Sequence, residues 1–229
     1  IGETFTLLVP NTKGGASVPL AMNEKAMEKA NPMYMNIYRQ IGQYWGEQPG
    51  TSGPVYVGAF VMFLFVLGLF IVKGPMKWAL LVATILSILL SWGKNFMGFT
   101  DFFIDYIPMY SKFRTVSSIL VVAEFTIPLL AMLALKEWVE RPQLLKENRK
   151  EILISLGLTG GLALLFALAP KLFFSSYVSS MEMHALQGIP ADQLVPLLAN
   201  LEEVRMSMFT SDAWRSVFII FIGVSLLWM

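Results

Sequence analysis

The sequence contains no cysteine and a single histidine, His184. Disulfides and thiolate-bound metals are therefore excluded, and a lone imidazole cannot complete a zinc site. Charge is scarce as well. Charged residues make up 14% of the 229 positions, 55% are hydrophobic, and the mean hydropathy is +0.61. An ordinary soluble domain carries about 25% charged residues. The net charge of +1 is dispersed along the chain, so no basic face is available to neutralise nucleic-acid phosphates. Nucleic acid is not expected as a partner.

What the sequence has in place of charge is a series of long apolar runs. A helix needs about 20 mostly apolar residues to cross a hydrocarbon core ~30 Å thick. Residues 55–72 and 152–169 carry no charge, 78–92 is short but flanked by Lys77 and Lys94, and 116–135 carries only Glu124. A fifth run begins at Ser216 and reaches Met229 after 14 residues, which is too few to cross. With Ile1 at the other end, the stretch reads as part of a longer chain. The expected fold is all-α: a polytopic transmembrane helix bundle with amphipathic helices in its extracytoplasmic loops.

Orientation follows from the short basic loops. Lys73 and Lys77 separate the first two runs, and Lys136, Arg141, Lys146, Arg149 and Lys150 lie in 136–151. Both loops are expected on the cytoplasmic side. Alternation then puts 1–54, 93–115 and 170–215 outside. Within these, Leu20–Tyr44 mixes Met, Ile, Tyr and Trp with Glu and Lys, the pattern of an amphipathic helix. Ala191–Phe209 follows Pro190 and repeats Leu194, Leu197, Leu198, Leu201 and Val204 at helical spacing, with Pro196 early enough to be tolerated.

The loop 93–115 holds the densest chemistry. Lys94, Asp101, Asp105, Lys112 and Arg114 are interleaved with Phe99, Phe102, Phe103, Tyr106, Tyr110 and Phe113. Aromatic rings stack on sugars or sit at headgroup level, and Lys94, Lys112 and Arg114 offer the donors that a phosphate needs. Asp101 and Asp105 are four apart, so on a helix they share a face. There they could act as a catalytic base or hold a divalent cation. The plainer alternatives are an aromatic belt, and aspartates that cap a helix or pair with Lys112 or Arg114.

Glu124 is the sole charge inside a run and is expected to face a bundle interior or an aqueous cavity, where it could contact substrate; the plainer alternative is a protonated or hydrogen-bonded carboxyl that pairs with Thr126, a neighbouring helix or a lysine close to the outer surface. Pro128 follows it and can kink the helix. Arg205, near Asp212 and Arg215, is a further candidate for substrate contact, with a structural salt-bridge cluster as the alternative. His184 reads as a surface or capping residue. GLTGG at Gly157–Gly161 reads as close helix packing, not as a phosphate loop. No metal site is assigned.

The stretches YWGEQPGTSGPVYVGA (Tyr44–Ala59), LSWGKNFMGFTDFFIDYIPMYSKFRTVSSILVVAEFTIPLLA (Leu90–Ala131) and RMSMFTSDAWRS (Arg205–Ser216) resemble the YfhO family of bacterial membrane proteins, and its Bacteroidetes-type members most. The resemblance implies a multi-pass protein of the bacterial cytoplasmic (inner) membrane, similar to C-type glycosyltransferases. Such enzymes take a sugar from a polyprenyl-phosphate carrier, so membrane lipid and a polyprenyl-phosphate sugar donor are the implied partners. The usual catalytic acid of that superfamily lies in the first extracytoplasmic loop, which is expected upstream of Ile1. No residue here matches it. A transporter or flippase of a lipid-linked saccharide would use Glu124 without a catalytic carboxylate. A non-enzymatic envelope scaffold would need neither.

Overall fold

The computed structural model describes residues 2–46, 55–112 and 116–228. Every regular element among them is helical; the one strand-like contact is an isolated antiparallel bridge between Pro19 and Gly42.

The N-terminal segment departs from the single amphipathic helix expected over Leu20–Tyr44. It forms two separate single turns, α1 (Glu24–Met27) and α2 (Met35–Tyr38). Two asparagines cut the helix. Asn23 Oδ1 accepts the Ala26 N–H at 3.0 Å, and Asn31 Oδ1 accepts the Met33 N–H at 3.0 Å. Each side chain starts a new turn, and Pro32 removes a donor just after the second. The chain then returns extended, with Leu20 N–H donating to the Ile41 carbonyl at 2.8 Å and Trp45 N–H to the Lys13 carbonyl at 3.0 Å.

The bundle begins with α3 (Ala59–Ile71), whose 13 residues are fewer than the expected run, because 55–58 has no regular structure and Gly58 sits at φ 101°. Gly74, at φ 92°, reverses the chain, and Pro75 leads into α4 (Met76–Ser91). Lys77 Nζ donates to the Leu69 carbonyl at 2.8 Å, satisfying an orphan acceptor at the end of α3. A sharp elbow separates α4 from α5 (Met97–Tyr106). Next comes α6 (Val121–Glu140), the element that α3 and α4 pack against. At Gly68 an added Cβ would sit 3.0 Å from Leu130 Cγ and 3.1 Å from the Leu130 carbonyl. The missing side chain is what lets α3 lie directly on the α6 backbone. Across the other contact, the hydroxyls of Thr84 and Thr126 share a buried hydrogen bond of 2.7 Å, and Ser87 Oγ donates to the Ile119 carbonyl at 2.9 Å.

After α7 (Leu144–Glu147), α8 (Arg149–Leu156) passes through a π-helical turn, Gly157–Gly161, into α9 (Leu162–Leu168) as one run of 20 residues. The glycines of that turn divide their roles. A Cβ on Gly160 would meet Ile220 at 3.6 Å, whereas Gly157 and Gly161 face open space. Close packing at GLTGG is therefore confined to Gly160.

Two short helices, α10 (Pro170–Phe173) and α11 (Ser180–Ala185), precede α12 (Ala191–Trp228). The sequence pattern predicts a loop helix and a separate span in this last region. It is one helix of 38 residues, about 57 Å at 1.5 Å per residue. No glycine or proline interrupts 210–215, and Thr210 and Ser216 donate back to the Met206 and Asp212 carbonyls at 3.0 and 3.1 Å, so the turns are continuous there. Its first half carries a small cap core of Leu20, Tyr38, Leu186, Leu197, Leu201 and Met208; its second half enters the bundle core through Ala213, Val217 and Ile220.

Among the described residues three helices are long and apolar enough to cross a membrane (Ser117–Glu140, Arg149–Leu168 and Ala191–Trp228), and a fourth span results if the bent pair Met76–Ser91 and Gly93–Tyr106 counts as one. Trp92 Nε1 donates to Thr4 Oγ1 at 2.8 Å, Ser216 Oγ donates to the Leu8 carbonyl at 3.1 Å, and Asn11 Nδ2 donates to Asp212 at 3.2 Å. The N-terminal segment, the elbow and the start of the membrane-length part of α12 thus meet at one end of the bundle, the cap end.

Candidate functional site

The elbow is built on Trp92 and Gly93. Trp92 is held to the cap by Thr4, and Gly93 takes φ 44°. Together they turn the helical stretch Gly93–Tyr106 by 107° from α4. Thr100, buried, donates its hydroxyl to the Gly93 carbonyl at 3.0 Å and fastens α5 back on the bend. Along α5 the rings of Phe96, Phe99 and Phe103 follow one another at centroid separations of 5.5 and 5.0 Å, and Tyr110 continues the row at 5.6 Å. These contacts use up one side of the helix. The other side exposes Asp101, Phe102, Asp105 and Tyr106.

The expected sharing of a face by Asp101 and Asp105 therefore holds on α5, and both carboxylates are exposed. Neither forms a hydrogen bond or an ion pair among the described residues. Lys94 is exposed at the elbow and Lys112 just beyond α5. Arg114 lies outside the described residues. Among the described residues no group of three or more Asp, Glu or His that could hold a metal ion is found, so Asp101 and Asp105 have no third carboxylate or imidazole beside them there.

Arg205 occupies a different environment. Its side chain is wholly buried in the cap. One terminal nitrogen donates to the Tyr177 carbonyl and to Glu182 Oε2, both at 2.8 Å, and the other donates to the Gly42 carbonyl at 2.7 Å and to Glu182 Oε1. The guanidinium carbon lies 5.7 Å from the Trp45 ring centre. Glu182 is fixed in turn by a capping box, in which Ser179 Oγ accepts the Glu182 N–H and Glu182 accepts the Ser179 N–H. The geometry is that of a structural ion pair, formed with Glu182 and not with the Asp212 that is near Arg205 in sequence, and it ties α11, α12 and the returning N-terminal segment together. Asn200 adds a second tie, accepting the Asn31 N–H at 2.8 Å and the Tyr38 hydroxyl at 2.6 Å. Burial pushes the Tyr38 phenol up to about 12, with Tyr34 adding to the shift and Arg205 opposing it.

Asp212 lines a polar hollow of about 320 Å³ with Asn11, Met22, Asn23, Lys25 and Met208. Its carboxylate accepts from Asn11 Nδ2 at 3.2 Å across that hollow.

Glu124 does not face the bundle interior as expected. The buried face of α6 is Ala123, Thr126, Ile127, Leu130, Ala131 and Ala134, and Glu124 stands on the exposed side with Val121 and Phe125. The sequence candidates thus fall into separate places: Lys94, Asp101, Asp105 and Lys112 along the elbow, Glu124 outside α6, and Arg205 inside the cap. Sequence reading did not identify Glu182, Tyr177 or Asn200. For Glu182 the signal was present in the Ser179-to-Glu182 spacing of a capping box; a backbone carbonyl such as that of Tyr177 leaves no mark in sequence. Comparison with family models, curated proteins and solved structures finds no match for this chain.

Proposed function

We propose that this chain is a membrane-embedded part of an envelope glycosyltransferase that uses a sugar carried on polyprenyl phosphate, with the elbow helix α5 lying at the outer surface of a bacterial inner membrane. The membrane placement draws on three or four helices of spanning length and on the basic loops at 73–77 and 136–150. The choice of substrate draws on the likeness of Leu90–Ala131 to the YfhO family.

The observation that carries the reading is the 107° elbow, which leaves Asp101, Phe102, Asp105 and Tyr106 exposed on a helix leaving the cap end of the bundle. A sugar on a lipid phosphate arrives at that level. The exposed rings offer stacking surfaces, the aspartates accept hydrogen bonds from sugar hydroxyls, and Lys94, Lys112 and Arg114 supply charge to the phosphate. Asp101 and Asp105 are the candidate bases. A second reading, an envelope scaffold without catalysis, draws on the occupied state of Arg205, whose terminal nitrogens all bond within the protein.

The test is native mass spectrometry of the protein extracted gently from membrane, with a polyprenyl-phosphate hexose added as probe. Retention by the wild type, loss in Arg114→Ala, and turnover lost in Asp101→Asn or Asp105→Asn are expected. Absence of the lipid from a folded protein sinks the glycosyltransferase reading, and retention without any effect of the aspartates favours the scaffold.

A further inference from the structure

We propose that a second transmembrane helix, carrying a lysine or arginine, docks on the outward face of α6 over Glu124. This rests on the membrane placement proposed above and concerns a different surface from the elbow. The exposed stripe of α6 runs through Val121, Glu124, Phe125, Met132 and Val139, apart from the side that holds α3 and α4. Glu124 is eight residues past Val116, which puts it about 12 Å inside the apolar run. A glutamate side chain is too short to reach the interface from that depth. Among the described residues nothing donates to it or pairs with it.

A carboxyl so placed is costly against acyl chains, and charged groups within spans are characteristically paired. The residues nearest to it on the stripe are apolar, and the exposed Lys136 lies twelve residues further on, about 18 Å away, where it pairs with Glu140 at 3.8 Å, so the missing group must come from outside this helix. A second copy of the chain packed about a two-fold axis on this stripe would set carboxylate against carboxylate, which is repulsive. The fitting occupant is a cationic helix: apolar side chains against Val121, Phe125 and Met132, and one basic group at the depth of Glu124.

Because the chain has no cysteine, a single dye can be placed at Lys146→Cys, on α7. The labelled protein is reconstituted in phosphatidylcholine vesicles with a leucine-rich single-span peptide that bears one lysine at matching depth, or with its all-leucine counterpart, and binding is read by energy transfer. The lysine peptide is expected to bind about fivefold more tightly than the leucine one, with the difference abolished by Glu124→Leu and unchanged helicity in that variant. Equal binding of the two peptides would overturn the proposal, as would a lysine advantage that survives Glu124→Leu. Flotation of the protein with the vesicles is measured first: protein that does not float removes the membrane placement itself, whereas floating protein without lysine preference removes only the docked helix.

Discussion

Arg205, midway along α12, and Glu182, on the two-turn α11, form an ion pair in which the arginine side chain has no exposure and the glutamate retains 17%. The pair closes a gap of 23 residues in the chain and lies beside Trp45. Removing either partner leaves the other uncompensated. Glu182→Ala strands a buried guanidinium and is expected to destabilise the cap by about 3–5 kcal/mol. Arg205→Met keeps much of the volume and exposes Glu182 to water, so its cost is the smaller. The double variant Arg205→Met, Glu182→Leu recovers most of the loss. Thermal melts followed by Trp45 emission, with the other tryptophans replaced, decide it; equal losses for both single variants go against this account.

The glycines of the bundle separate into two groups with opposite expected responses. At Gly223 a Cβ would lie 2.3 Å from a Phe60 ring carbon, so Gly223→Ala must displace that ring and is expected to cost roughly 1–3 kcal/mol. Gly157→Ala and Gly161→Ala meet nothing within 4 Å, and better helix propensity should add up to about 1 kcal/mol each. Denaturant titration of helicity in detergent measures both sets. Destabilisation by the Gly157 change would mean that this turn needs glycine for its π-helical backbone.

Alkaline pH is expected to loosen the cap before the bundle. The Tyr38 phenol is raised from 10.0 to about 12 by burial, and burial raises Tyr177 in the same direction. Stability contributed by a raised group is complete below its unfolded value and is lost as pH climbs through the folded one. The cap should therefore weaken between pH 10 and about 12. Tyr38→Phe removes part of that slope and also the 2.6 Å bond to Asn200, lowering stability at neutral pH by about 1 kcal/mol. Hydrogen exchange of the Leu20–Tyr38 amides across this range reads both effects.

The legible parts of the fold were those fixed by composition over many residues. The helical runs behind α4, α6 and α8–α9 were visible because each is a long apolar stretch with at most one charge, Glu124 in the case of α6, which pairs its backbone groups within itself as helix. The basic loops and the shared face of Asp101 and Asp105 were likewise visible. Less legible were the interruptions. Asn23 and Asn31 start new turns through side-chain bonds that compete with the amphipathic pattern over Leu20–Tyr44, and the pattern by itself does not weigh the two. In the opposite direction, polar residues at 210–215 suggested a boundary where α12 continues, because polarity alone does not break a helix that retains its backbone bonds.

For the candidate residues the division is sharper. The sequence determined the helical class, the apolar lengths, the absence of thiol chemistry and the presence of charges in a few segments, since each depends only on residue type and order. Tertiary structure alone decided where those charges point. Glu124 and Ala123 are adjacent in the chain, yet one is outside α6 and the other buried, because α3 and α4 cover only one side of it. Arg205 is enclosed because chain segments 28 and 163 residues away supply the carbonyls of Tyr177 and Gly42. Burial and pairing are set by such distant contacts, which carry no signature at either position until the chain has folded.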